Sequence, residues 1–351
     1  MTLIDQASTP RAGEELDALA VEAFIKKQQP SLQGPCRISQ FPGGASNLTY
    51  LVAFDQQSFV LRRPPFGTKA KSAHDMGREF RVMQKLKPVY PYVPTMIAYS
   101  EDESILGSPF YIMERLVGFI PRADLPAELG FGPEQHRAIC HEFVDKLVEL
   151  HQVDYQKAGL ADLGKPDGYV TRQVEGWSQR YLAARTDNVP DFAGVRQWLS
   201  DHKPDQIRTC VIHNDYRFDN IVFDPEQPTR AIGVLDWEMA TLGDPLMDLG
   251  NSLAYWVEAA DDPFMQKMRR QPTHLPGMLT RDQMVKLYLQ KMDLPSVDFT
   301  WYRVYGLFRL AVIAQQIYYR FAAGQTKDQR FAQFHMMVAH LEKVSLSAIK
   351  G

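Results

Sequence analysis

Three polar residues share a pattern that suits one kind of chemistry. Asp215 and Asn220 stand five residues apart, after the apolar end of Val211-Ile212. Asp236 comes sixteen residues after Asn220, at the end of a second apolar run, Ile232 to Leu235. A carboxylate within hydrogen-bond reach of an alcohol orients it and takes its proton, which contributes about 10²–10⁴ in rate. An amide oxygen and a second carboxylate are hard ligands for magnesium, which takes one or two protein oxygens and completes its shell with water and phosphates. The pattern therefore points to phosphoryl transfer, where positioning and charge neutralisation dominate. Asp215 is the candidate base, and Asn220 and Asp236 are the candidate Mg2+ ligands. The plainer alternative for Asp215 is a turn aspartate that caps the next segment. The register of Asn220 and Asp236 favours the base.

These side chains need elements to hold them. Leu16, Leu19, Ala20, Ala23 and Phe24 recur at helical spacing. The period then shortens: Cys36 to Phe41, Leu48 to Phe54 and Phe59 to Arg62 are strand-like and separated by turn residues. A helix is predicted from about His74 to Lys87, followed by strands at Met96 to Tyr99 and Phe110 to Leu116. Five antiparallel strands and one helix make a small first lobe over residues 1–115. Residues 116–351 form a larger, mostly helical second lobe. It has helices from Pro133, at 175–184, 246–257, 281–292 and 331–349, and a central buried helix at 301–322. Short strands are predicted at Thr209–Ile212 and Ile221–Phe223, on either side of the Asp215 loop, and at Ala231–Leu235. The fold class is α+β, two lobes with a cleft between them.

Three motifs carry a family resemblance: His213-Asn214-Asp215 through Asn220, then Asp236-Trp237-Glu238, then Gly243-Asp244-Pro245 with Asp248-Leu249. Together they resemble the aminoglycoside phosphotransferase and choline kinase superfamily, which has a protein-kinase-like fold. Phe59 to Pro65 and Arg78 to Val82 bring the chain nearest to the phosphotransferase-like domain fused to acyl-CoA dehydrogenases. The resemblance runs over roughly residues 30 to 320 and implies an ATP site. Gly43, Gly44, Ser46 and Asn47 would belong to the loop over the phosphates, where two glycines let the backbone approach closely. Arg62 occupies the position of the usual kinase lysine, with Glu79 as its helix partner. Strand alternation lets only one of Arg62 and Arg63 face the cleft, and Arg62 shares its face with Val60. Met113, Glu114 and Leu116 would form the hinge against adenine.

Arg217 stands two residues after the candidate base. A guanidinium there suits the transferring phosphoryl group or an anionic substrate, and it equally suits an ordinary salt bridge. His213 is expected to pack beneath the loop and bond backbone. Asp244, just before Pro245, is expected to cap a helix, with Asp248 in that helix's first turn. Trp177, Tyr181, Tyr255, Trp256, Trp301, Tyr302 and Tyr305 read mainly as core.

Composition narrows the partners. A net charge of −3 does not advertise nucleic acid or an anionic membrane. Cys36, Cys140 and Cys210 have no metal spacing and fit a reducing compartment. The N-terminus has no apolar signal region, so a cytoplasmic location is the default expectation. Residues 165–203 carry six Lys/Arg against five Asp/Glu, and residues 255–292 carry six against four. Neither is an acidic funnel for a polycationic antibiotic. A small-molecule hydroxyl is the expected acceptor, and the resemblance makes a hydroxyacyl-CoA a candidate. The contrasting reading is a nucleotide-binding pseudokinase that regulates a partner, for which Arg62 is the support. A protein kinase is disfavoured, because no Asp-Phe-Gly and Ala-Pro-Glu pair bounds an activation segment. Oligomeric state is left open.

Overall fold

The computed structural model describes residues 4–42, 47–66 and 75–351. The first lobe is built from α1 (Ala18–Gln28), β1 (Arg37–Gln40), β2 (Leu48–Ala53), β3 (Ser58–Arg63), α2 (Met76–Leu86), β4 (Met96–Ser100), α3 (Glu103–Leu106) and β5 (Phe110–Glu114). Its strands form one antiparallel sheet in the order β1-β2-β3-β5-β4. One helix was expected beside the sheet; α1 and the short α3 also pack there. The reason lies in β3 and β5. Phe59, Val60 and Leu61 are all buried, as are Tyr111, Ile112 and Met113. Strands apolar at consecutive positions need cover on both faces. Phe59, Leu61 and Ile112 pack with Val21 and Ile25 of α1. Val60, Tyr111 and Met113 join Met76, Val82, Met83 and Leu86 of α2 in the core that continues into the second lobe.

That lobe contains α4 (Pro133–His151), α5 (Tyr169–Ala184), α6 (Ala193–Asp201), β6 (Cys210–Ile212), β7 (Ile221–Phe223), β8 (Ala231–Val234), β9 (Thr241–Gly243), α7 (Pro245–Leu253), α8 (Pro263–Met268), α9 (Arg281–Lys291), α10 (Thr300–Ala322) and α11 (Phe334–Lys350). The central buried helix expected at 301–322 is α10. It crosses α7 closely: a Cβ on Gly306 would lie 2.2 Å from the Gly250 carbonyl oxygen, so only glycine fits.

The two strands flanking the Asp215 loop do not pair with each other. β6 pairs with β9 and β7 with β8, both antiparallel. This arrangement positions the site. Ile221 lies opposite Val234, so Asn220 and Asp236 emerge at the same end of the β7–β8 ladder. Ile212 lies opposite Thr241, which brings His213 to the segment just before β9. Gly233 of β8 leaves room for Leu116: a Cβ there would lie 2.0 Å from Leu116 Cδ1. Among the described residues, no helix is long and apolar enough to cross a membrane.

Candidate active site

The loop after β6 is held by its backbone. Asp248, fully buried in the first turn of α7, accepts from the His213 N–H at 2.8 Å and the Asn214 N–H at 2.7 Å. Asn214 has a φ of 65°, a left-handed conformation that asparagine tolerates. Arg309 of α10 donates to the Asn214 carbonyl at 2.7 Å. Asp248 also faces His151, whose Nε2 lies 3.1 Å from Oδ2; His151 Nδ1 lies 2.6 Å from the Tyr288 hydroxyl. Burial pushes the Asp248 carboxyl up. Hydrogen bonding from His151 and from the His213 amide outweighs it and holds the group below its ordinary value. Asp244 caps α7 through the Leu246 and Met247 amides. His213 packs under the loop, its Nε2 2.9 Å from the Leu235 carbonyl.

Asp215 follows at the surface of this brace. Asn220 donates its side-chain amide to the Asp215 carbonyl at 2.8 Å and to Asp215 Oδ2 at 3.0 Å. Arg217 donates from Nη2 to Asp215 Oδ2 at 3.1 Å. Its Nε sits 2.9 Å from Asp215 Oδ1, an ion-pair distance without hydrogen-bond alignment. The guanidinium lies over the Tyr255 ring, 4.6 Å from its centroid. Burial by itself lowers the Arg217 pKa. The charges of Asp215 and Asp219 overcome this and raise its pKa further, so it stays a cation.

Asp236 ends the β7–β8 unit with a φ of 68°. Arg62 reaches it from β3. Nη1 donates to Glu79 Oε1 at 2.6 Å and Nη2 to Asp236 Oδ1 at 3.1 Å. Burial pushes the Glu79 carboxyl up, against the lowering charge of Arg62. Arg63 turns to the other face, donates to the Pro64 and Leu106 carbonyls, and stacks on Phe66. Asn47 donates to Glu238 Oε2 at 3.0 Å, and Arg78 of α2 donates to the Glu238 and Ala240 carbonyls. The first lobe thus grips the segment that carries Asp236 at three points.

Residues 37–281 match the family model described as the phosphotransferase enzyme family. The chain belongs to that family. The chain is 38% identical over 297 residues to acyl-CoA dehydrogenase family member 10 of Mus musculus, covering 84% of this chain but 27% of that protein. It therefore spans well under half of the curated relative's length. A Ralstonia eutropha protein provisionally named an aminoglycoside phosphotransferase, solved by crystallography, is 31% identical with a TM-score of 0.81; the match covers 96% of this chain and 99% of that one. A ternary complex of APH(2")-IIa with streptomycin and ATP superposes with a TM-score of 0.56 at 17% identity, over 86% and 90% of the two chains, and shows a shared fold.

Within the chain, Asp215, Arg217 and Asn220 form one contact cluster, and Arg62, Glu79 and Asp236 form a second. Asn47 joins the second through Glu238. Met113 is buried in β5, and the Glu114 side chain accepts from the Thr95 N–H at 2.9 Å. Both stand further along β5 than Tyr111, the strand partner of Arg62. Leu116 lies against Gly233. Gly43, Gly44 and Ser46 lie outside the described residues. The donor set fits a magnesium ion. Asn220 spends its nitrogen on Asp215, which leaves its amide oxygen as the free end, and Asp236 adds a carboxylate.

The sequence reading missed several supports. It did not find the His151–Tyr288 contact behind Asp248, the Arg78 grip on residues 238–240, or Arg309 beneath Asn214. Each is a polar side chain within or beside an apolar helical run. That signal marks burial and says nothing of the partner.

Proposed function

We propose that this protein moves the γ-phosphoryl group of ATP, in the presence of Mg2+, to a hydroxyl of a small molecule. The observation that carries this reading is the join between the two clusters' key residues and the strand ladder: Asn220 is bonded to Asp215, and Asn220 and Asp236 emerge together from β7–β8. Asp215 would orient the acceptor hydroxyl and take its proton as transfer proceeds. Asn220 and Asp236 would hold magnesium, which supplies charge neutralisation at the phosphates when bound. Arg62 would add a second positive charge to the phosphates while Glu79 fixes its position.

Residues 43–47 would cover the phosphates, and Met113, Glu114 and Leu116 would border the adenine. The division between lobes falls at 115/116 in this reading. A hydroxyacyl-CoA is the acceptor candidate, supported by the likeness to an acyl-CoA dehydrogenase family member.

ADP release with Mg·ATP across hydroxyacyl-CoAs, aminoglycosides, choline and sugars tests the proposal, with Asp215→Asn as control. Acceptor-dependent ADP formation lost in the variant supports it. Tight nucleotide binding with no turnover of any acceptor favours a pseudokinase instead.

A further inference from the structure

Arg62 stands where two demands meet. Its guanidinium is nearly buried, bonded to Glu79 at 2.6 Å on one side and to Asp236 at 3.1 Å on the other. Arginine spans both carboxylates with separate nitrogens, as its planar fork allows. Glu79 is buried within α2. Asp236 belongs to the segment gripped by Asn47 and Arg78 through Glu238 and Ala240.

We propose that Arg62 makes the site selective for a metal–nucleotide complex over a free metal ion, by holding a cation's place at Asp236 until phosphates arrive. This rests on the reading of Asp236 as a metal ligand. A divalent ion at Asp236 would lie a few ångströms from a guanidinium in a partly buried setting, where like charges repel strongly. Nucleotide phosphates bring enough negative charge to offset both cations. Arg62 Nε is buried with no hydrogen-bond partner among the described residues, so its two carboxylate bonds leave the guanidinium's donors incompletely used. Metal and nucleotide then bind as coupled ligands, each raising the affinity of the other.

The test is binding, read from the free Mn2+ signal by electron paramagnetic resonance, without turnover. Wild type is compared with Arg62→Gln/Glu79→Gln, which removes the buried charges together and spares the fold an unpaired Glu79. Without nucleotide, the double variant binds Mn2+ more tightly than wild type by about tenfold or more. With AMP-PNP, wild type gains far more Mn2+ affinity than the double variant does. Adding Asp236→Asn to the double variant removes the gained site. Equal Mn2+ affinity of the two nucleotide-free proteins overturns the proposal. So does survival of the gained site after Asp236→Asn. Absence of Mn2+ binding from both proteins even with AMP-PNP sinks the metal-site reading itself, and the proposal with it.

Discussion

Asn220 and Asp215 are one unit. The Asn220 amide nitrogen bonds both the backbone carbonyl and the side-chain Oδ2 of Asp215, at 2.8 and 3.0 Å. The candidate metal ligand therefore sets the orientation of the candidate base. Replacing Asn220 by Asp keeps the oxygen ligand but puts a second carboxylate against Oδ2. Turnover is expected to fall by about 10²-fold through the misplaced base. Nucleotide affinity, measured with AMP-PNP by calorimetry, should change much less. An equal loss in both would show that the residue serves metal binding alone.

Asp248 predicts a pH dependence. Its carboxyl is held below its ordinary value in the folded protein. The stability it contributes is therefore fully present above the ordinary carboxylate range, and it is lost as pH falls through the folded value. Asp248→Asn removes the charge that receives the His213 and Asn214 amides, at a cost of about 2–3 kcal/mol near neutral pH. Urea midpoints for wild type and variant should converge as pH falls below about 4. A constant gap at all pH values would contradict this account.

Arg217 bears on acceptor choice. It is fixed by Asp215, Asp219 and the Tyr255 face. Arg217→Gln should lower kcat/KM by about tenfold for an anionic acceptor relative to a neutral one carrying the same hydroxyl. Hydroxyacyl-CoA against the matching hydroxyacyl-pantetheine is a suitable pair. A uniform loss for both would assign Arg217 to the transferring phosphoryl group.

The α7–α10 crossing has no slack. Gly306→Ala puts a methyl 2.2 Å from the Gly250 carbonyl oxygen, so the helices must separate. The expected cost is about 1–3 kcal/mol, visible as a lower urea midpoint. Because α10 also carries Arg309 beneath Asn214, turnover should fall with stability. A variant as stable as wild type would show that α10 adjusts at no cost.

Much of this site was legible locally. The Asp215, Asn220 and Asp236 spacing, the cap at Asp244 and the facing of Arg62 on Val60's side all follow from short-range rules. Strand alternation and helix capping act within a few residues, so the chain displays them directly. The helical period at Leu16 to Phe24 was legible too, but its packing against Phe59, Leu61 and Ile112 was not.

The sequence by itself determined the chemical types available, their spacing along strands and loops, and the order of elements. Only the tertiary structure decided which of them meet. Arg62 and Asp236 are 174 residues apart, His151 and Asp248 97, and Arg309 and Asn214 95. β7 pairs with the next strand, β8, whereas β6 passes over β7, its nearer neighbour in the chain, to pair with β9. The physical reason is that such meetings are set by burial summed over the whole core, to which each local pattern contributes only a small part.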